Sequence, residues 1–432
     1  MNKKLTTKIE EAQEVALELE KLGEFSRDNS FSPPKVYEEA VSKMEDIVSS
    51  LNDYIEPKTR GELIESELRR RLIGEAAEIE KRLSGKLIDF DSTLRLYGIP
   101  QQDIDELEPW LLKNKDKVLE TVERLYRKFE GSNNSHLGLD IWPVRREIEN
   151  FASSSITRFH KKLGKFLQGF TQIGNYLRDI NAVPTSEARS YFNFNTNELA
   201  IGIEAICKRT KEGLLKLDHK QLIRLYGHEG MGHALNFILS RCEDLPHFLS
   251  KESSFVESTA ESVAQFYERQ LLEDIKDSDE LQRDLEIAHL FEEIYQDSSD
   301  KEYVDRYGLK LTQYATRVLA DRSLGDHKDS KVIDKRKGLI KRVALYRNHA
   351  TYIVENSLDH YDSQGNYSEA AVSELRYCAN PVRRALDIFT NGGIEYKAES
   401  RDTIDQALLT GFWTSKGFVD NARIIAQKNT KE

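Results

Sequence analysis

The sequence predicts a mainly α-helical protein. Apolar residues recur at helical spacing through most of the 432-residue chain. The nine prolines and 23 glycines concentrate at breaks between these stretches, where helices end most readily. The best candidate for strands is residues 191–203, where apolar and polar side chains alternate around an Asn-Thr-Asn-Glu turn. We therefore expect a helical architecture with a small β-hairpin or edge sheet.

The N-terminal part of the chain, residues 1–182, is predicted to be an accessory helical region. Ser32-Pro33-Pro34 separates a first helix from the next, and the clearest loop lies at 130–138. A second break at 181–184 marks the start of the remaining region, 183–432. The accessory region either forms one wall of a cleft or serves as an interaction module. The hairpin that follows the break either caps the helices or lies beside the next helix as an edge for an added strand.

A long helix is predicted to begin after the hairpin. Asp218, followed three residues later by Gln221, is typical of a capping box. The apolar residues that then keep helical spacing are Leu222, Leu225, Tyr226, Leu235, Ile238 and Leu239. The middle of this helix reads His-Glu-Gly-Met-Gly-His over 228–233, so both histidines of the motif are expected to lie within it.

The five-residue spacing of His228 and His233 is unusual for two side chains that share a site. On a regular helix of 3.6 residues per turn, five steps place them about 140° apart. A single-turn π-bulge realigns them, because pairing between residues five apart closes a wider turn. Gly227, Gly230 and Gly232 make this irregularity tolerable, although each would destabilise an ordinary helix by roughly 0.8–1 kcal/mol. We therefore predict a π-bulge with a functional role.

A second helix is predicted to pack antiparallel to the first. Pro246 disfavours continuation of the first helix, and the second begins near Ser253 or Ser254. Glu257 and Glu261, four residues apart, project from one side of the second helix. The connecting loop is short enough for Glu257 to lie beside both histidines. The buried face is marked by Val256, Thr259, Ala260, Val263 and Phe266.

Two imidazoles and one carboxylate form the ligand set of a hydrolytic zinc centre. We predict that His228, His233 and Glu257 hold one Zn²⁺ per chain and leave a fourth position for water. Glu229, next to a ligand, suits the general base that takes a proton from this water. Glu261 is expected to orient a ligand histidine through its other ring N–H. This set predicts a zinc metallopeptidase; a metal-dependent hydrolase of a non-peptide substrate is the alternative enzyme.

The competing hypothesis is a non-catalytic helical scaffold or binding protein with a degenerate or structural metal site. A closed structural site needs a fourth protein ligand, and the nearby candidates are His219 and His247. His219 lies nine residues before His228, on roughly the opposite side of a straight helix. This geometry favours the catalytic interpretation.

The motif resembles two families of metallopeptidases. His-Glu-x-x-Gly-His is the form found in dipeptidyl peptidase III, and the string Val-Glu-Ser-Thr-Ala-Glu at 256–261 is similar to that family's Glu-Glu-x-x-Ala-Glu. Residues 228–273 look closer to helical bacterial metallopeptidase-like proteins with H-E-x-x-P-G-H, then L-P-x-F, then E-G-W-A-x-Y-A-E. Leu-Pro-His-Phe at 245–248 matches the second string. The chain lacks the proline and one residue between the histidines and has Ser258-Thr259 for Gly-Trp, which leaves the exact family open.

The resemblance implies a zincin-like centre of the gluzincin type that acts on oligopeptides. In the similar families a tyrosine or histidine from the C-terminal part stabilises the tetrahedral oxyanion, and Tyr377 is our candidate for this catalytic role. Four arginines of the same part either pair with a substrate carboxylate or form surface ion pairs. They are Arg347, Arg376, Arg383 and Arg384.

Composition restricts the partners and the compartment. The chain has 63 Lys and Arg against 74 Asp and Glu, and the net charge of −11 disfavours attraction to nucleic-acid phosphates. No run of 18 apolar residues is present, and the N-terminus leads into a charged helix. Cys207, Cys242 and Cys378 are odd in number and far apart, which argues against a disulfide framework. We expect a cytoplasmic protein with a peptide substrate and neither a nucleic-acid nor a membrane partner; the sequence does not indicate its oligomeric state.

Overall fold

Helices dominate the structure, a computed structural model, so the predicted mainly α fold is confirmed. The structure describes residues 3–27, 34–84, 142–186, 190–210, 212–243, 245–250, 256–279, 282, 381–397 and 399–429. The loop predicted at 130–138 lies outside these ranges. No helix within them combines the length and the apolarity needed to cross a lipid bilayer.

The helices follow the predicted breaks closely, and the first helix ends before the Ser-Pro-Pro string while the second begins at its last proline. The α-helices of the described ranges are α1 (Lys3–Arg27), α2 (Pro34–Ser50), α3 (Arg60–Ser84), α4 (Trp142–Phe170), α5 (Ile203–Ile206), α6 (His219–Leu225), α7 (Leu235–Cys242), α8 (Glu257–Lys276), α9 (Pro381–Asn391), α10 (Arg401–Leu409) and α11 (Ser415–Asn429). A π-helix, Tyr226–Ala234, joins α6 to α7. Short 3-10 helices span Gln172–Asp179 and His247–Leu249.

Two small sheets precede α6. The first contains β1 (Asn181–Thr185), β2 (Tyr191–Asn193) and β3 (Glu198–Gly202) in the order β1-β3-β2. The second is a hairpin of β4 (Cys207–Arg209) and β5 (Leu215–Leu217). Strand β2 pairs antiparallel with β3, which confirms the hairpin predicted at 191–203. Both strands of this hairpin pack against the π-helix.

Strand β1 replaces the break that the sequence predicted at 181–184. It pairs parallel with β3, and Asn181 lies opposite Glu198 while Pro184 lies opposite Ile201. Because β1 is an edge strand, proline is tolerated there despite its missing N–H. The predicted boundary at residue 182 therefore falls inside a paired strand.

The described residues of both predicted regions contribute to one hydrophobic core. Helices α1, α2 and α3 pack together, α3 contacts α11, and α4 packs against β1. Helix α8 contacts α6, the π-helix, α9 and α11, which makes it the central helix around the motif. The division into regions 1–182 and 183–432 stays a prediction, and the two regions share their core.

Candidate metal centre

The two histidines of the motif share one side of the π-helix. This helix runs over nine residues, so it is longer than the predicted single-turn bulge. The backbone N–H of Leu235 donates to the carbonyl of Gly230, five residues earlier, which is the pairing of a π-helix. The rings of His228 and His233 lie with their centroids 5.2 Å apart. The predicted realignment of the histidines is therefore confirmed.

The helical segment that carries the motif begins where the sequence predicted. The side chain of Asp218 accepts a hydrogen bond from the backbone N–H of Gln221 at 3.0 Å and caps α6. The other carboxylate oxygen of Asp218 accepts from Lys208 Nζ of β4 at 2.6 Å. The β4–β5 hairpin is thereby connected to the start of the motif helix.

Gly227 and Gly232 lie where the π-helix contacts α8. A Cβ atom at Gly227 would lie 2.6 Å from Cα of Glu268, and one at Gly232 would lie 2.3 Å from Cα of Ala264. At Gly230, a Cβ would be 3.4 Å from a side chain of β3, which is ordinary van der Waals contact. Two of the three glycines therefore allow a close antiparallel approach of two backbones, a reason for glycine that the sequence interpretation did not include.

This close approach brings Glu261 of α8 to both histidines. Its Oε2 lies 3.5 Å from Nε2 of His228, and its Oε1 lies 4.0 Å from Nε2 of His233. One ligand atom from each of the three residues lies within 4.8 Å of the other two, so this group can hold a metal ion. Among the described residues, neither His219 nor His247 belongs to the group.

The distances from Glu261 to the two histidines are close to those between neighbouring ligand atoms of a tetrahedral ion. Bonds of 2.0–2.1 Å to nitrogen and oxygen place neighbouring ligand atoms about 3.3 Å apart at the tetrahedral angle. The distances of 3.5 and 4.0 Å from the Glu261 oxygens to the two histidine nitrogens exceed this value by less than 1 Å. Imidazole nitrogens and a carboxylate oxygen are donors that zinc binds well.

Carboxylates surround the ring of His228. Its Nδ1 lies 3.4 Å from Oε2 of Glu268, and the guanidinium of Arg224 contacts the other oxygen of that carboxylate. Burial would lower the pKa of His228, but Glu268 and Glu261 outweigh burial and raise it, with Glu229 acting in the same direction. Burial would raise the pKa of Glu268, but Arg224 and His228 lower it to about 2. The site therefore favours positive charge.

The remaining predicted site residues are described to different extents. Glu229 is half-buried on the π-helix, directly after His228. Glu257 is the first residue of α8, a few residues after the predicted helix start, and its side chain lies outside the described part. Tyr377 lies outside it as well, as do Arg347 and Arg376, so the roles of these residues stay predictions. The predicted buried face of α8 is confirmed at Val256, Thr259, Ala260 and Val263.

Sequence reasoning missed Glu268. It lies seven residues after Glu261, close to two helical turns, so both side chains are expected on one face of α8. This spacing was the available signal. Glu261, for which an orienting role was predicted, provides the carboxylate of the group that can hold a metal ion.

Comparisons of the chain with protein-family models, curated proteins and solved structures found no match. The geometry of the site is therefore the basis for a functional hypothesis.

Proposed function

We propose that this protein is a zinc-dependent peptidase with a zincin-like centre of the gluzincin type. The observation that supports this most is the convergence of His228, His233 and Glu261 where the π-helix contacts α8. Catalytic zinc sites use three protein ligands of this kind and keep a position for water, whereas structural sites use four protein ligands. Within the described residues the group has three members, the number of protein ligands that a catalytic site uses.

Glu229, which directly follows His228 on the π-helix, is the base that we propose for this centre. Zinc, when bound, would lower the pKa of a water molecule to about 7 and polarise the carbonyl of the scissile bond. Glu229 takes a proton from the attacking water while the water oxygen bonds to the carbonyl carbon. Glu229 then delivers this proton to the leaving nitrogen when the C–N bond breaks, and it is ionised again for the next cycle.

The hairpin beside the π-helix motivates a peptide substrate. Strand β2 is at the edge of its sheet and packs against the π-helix, and the side chain of Tyr191 on it is 37% exposed. An extended peptide can add to an edge strand through main-chain hydrogen bonds. A peptide aligned along β2 would run past the helix that carries the histidines and Glu229.

The zinc site can be tested through its carboxylate ligand. We expect the parent protein to bind about one zinc per chain and Glu261→Ala to lower the zinc affinity on the order of 100-fold or more, because one of three ligands is lost. Competition with a coloured chelator measures this affinity. Glu257→Ala is the matched variant one turn earlier, and Glu273→Ala, a partly exposed position on the same helix, is the control. Loss of affinity in Glu257→Ala with normal affinity in Glu261→Ala would instead support the ligand that the sequence suggested.

Peptidase activity is tested separately from metal binding. Digestion of a mixed peptide library, followed by mass spectrometry, should reveal cleavage by the zinc-loaded protein. Glu229→Gln should keep its zinc and lose on the order of 100-fold or more in rate, because the amide cannot take the proton. Full zinc binding without cleavage of any peptide would contradict the proposed substrate and favour a non-peptide hydrolase or a structural ion. Unchanged turnover in Glu229→Gln would remove Glu229 from the mechanism.

A further inference from the structure

We propose that Glu268 is a positioning residue that fixes the ring of His228 for metal binding, an inference that rests on the proposed zinc site. Glu268 and Glu261 lie seven residues apart on α8, so they share the face of α8 that contacts the π-helix. The backbone of Glu268 lies directly against Gly227, the residue before His228. This contact leaves the Glu268 carboxylate beside the imidazole.

The imidazole of His228 lies between two carboxylates that approach different ring nitrogens. Nε2 is 3.5 Å from Glu261, and Nδ1 is 3.4 Å from Glu268. A neutral imidazole has one N–H and one nitrogen lone pair. When Glu268 accepts the N–H of Nδ1, the lone pair remains on Nε2, which faces Glu261 and the metal position. Carboxylates in this arrangement set both the tautomer and the orientation of a ligand histidine.

Arg224 holds Glu268 in this position. It lies one turn before His228 on α6, and its guanidinium contacts the Glu268 carboxylate through Nε and Nη2. The side chain of Arg224 is 42% exposed, whereas those of Glu268 and His228 are each 17% exposed, so Arg224 pairs from the surface side with a carboxylate buried as deeply as the histidine. An ion pair that only joined two helices would involve Arg224 and Glu268 alone; the approach of Glu268 to Nδ1 is what supports the positioning role.

Three variants test this role with two measurements. Glu268→Ala removes the acceptor, Glu268→Gln keeps a weaker one, and Glu273→Gln is the control, since Glu273 is a partly exposed carboxylate of the same helix paired with Lys276. We expect Glu268→Ala to lower the zinc affinity roughly 10- to 100-fold, Glu268→Gln to lower it less, and Glu273→Gln to leave it unchanged. The second measurement is the tautomer of His228 in metal-free protein at alkaline pH, read by NMR of ¹⁵N-histidine. The parent protein should carry the proton on Nδ1, and Glu268→Ala should lose this preference.

The outcomes separate this inference from the proposed function. Unchanged zinc affinity and an unchanged His228 tautomer in both Glu268 variants would overturn the role of Glu268 and leave the zinc site intact. A parent protein that binds no zinc would overturn both. If Glu268→Ala fails to fold, the isosteric Glu268→Gln decides, because weaker zinc binding with a native circular dichroism spectrum supports positioning and unchanged binding overturns it.

Discussion

Gly232 determines how closely the two helices of the candidate metal centre approach each other. A Cβ atom at this position would lie 2.3 Å from the backbone of Ala264, and backbone cannot move aside as the end of a flexible side chain can. Glu261 lies three residues before Ala264 on α8. The separation at Gly232 therefore also controls how far the Glu261 carboxylate is from the histidines.

Gly232→Ala is expected to lower the free energy of unfolding by about 1–3 kcal/mol or more, because the added methyl forces the helices apart. It should also weaken zinc binding. Gly230→Ala is the matched control on the same π-helix, where a Cβ has 3.4 Å of space. We expect this control to be neutral or up to about 1 kcal/mol more stable, because alanine favours helix. Urea denaturation measures the free energy of unfolding, and chelator competition measures the zinc affinity. Equal effects of Gly232→Ala and Gly230→Ala would contradict this role of Gly232.

The histidine pair and the placement of Glu261 beside it could be predicted from the sequence, whereas the role of each carboxylate could not. A five-residue spacing allows His228 and His233 to share a site only if the turn between them is widened. Glu261 and Glu268 lie on the same face of α8, and periodicity alone does not decide which nitrogen each one meets. That choice depends on the offset of α8 along the π-helix, which contacts between residues distant in sequence determine.

Among the elements, those with a strong local pattern were predicted and those that depend on a distant partner were not. The π-helix and the β2–β3 hairpin follow from spacing and from alternation around a turn. Strand β1 is five residues long, contains Pro184, and forms only because β3 pairs with it. A short edge strand of this kind has the same local composition as a loop.

Helix α8 is bound to α10 by a network of buried ion pairs and hydrogen bonds, which no local sequence pattern indicates. Arg401 of α10 donates to both oxygens of Asp274 at 2.9 and 2.7 Å, and both side chains are almost fully buried. Tyr267, next to Glu268, donates to Asp405 at 2.6 Å. Buried partners of opposite charge are strongly interdependent, since removal of one leaves the other uncompensated. This network holds α8 in place. A bulkier residue at Gly227 or Gly232 would therefore have to displace a helix that is anchored to α10.

At the scale of the whole molecule, the N-terminal helices are joined to the 3-10 helix between α7 and α8 and to the segment between α10 and α11. Glu67 of α3 is fully buried and accepts from the backbone N–H and the hydroxyl of Thr414, at 2.6 and 2.8 Å. Arg71, one turn later, donates to the carbonyls of Phe248 and Phe412. Because these contacts are buried and link distant parts of the chain, we expect the described helices to unfold as one cooperative unit.

Cooperative unfolding can be tested with a thiol that is far from the N-terminal helices in sequence. Cys207 of β4 is buried, and burial raises its pKa to about 11. Since the thiolate is the reactive form, folded protein should label very slowly at pH 8, and labelling reports opening of the structure.

Met44→Ala in α2 removes a fully buried side chain and should cost about 2–5 kcal/mol of stability. In a protein with Cys242→Ser and Cys378→Ser, we expect the labelling rate of Cys207 to rise by the factor by which Met44→Ala raises the global unfolding constant. Asp46→Ala, at an exposed position of the same helix, should change neither the global unfolding constant nor the labelling rate of Cys207. A large loss of stability in Met44→Ala without faster labelling of Cys207 would mean that the N-terminal helices unfold independently of the β4–β5 hairpin.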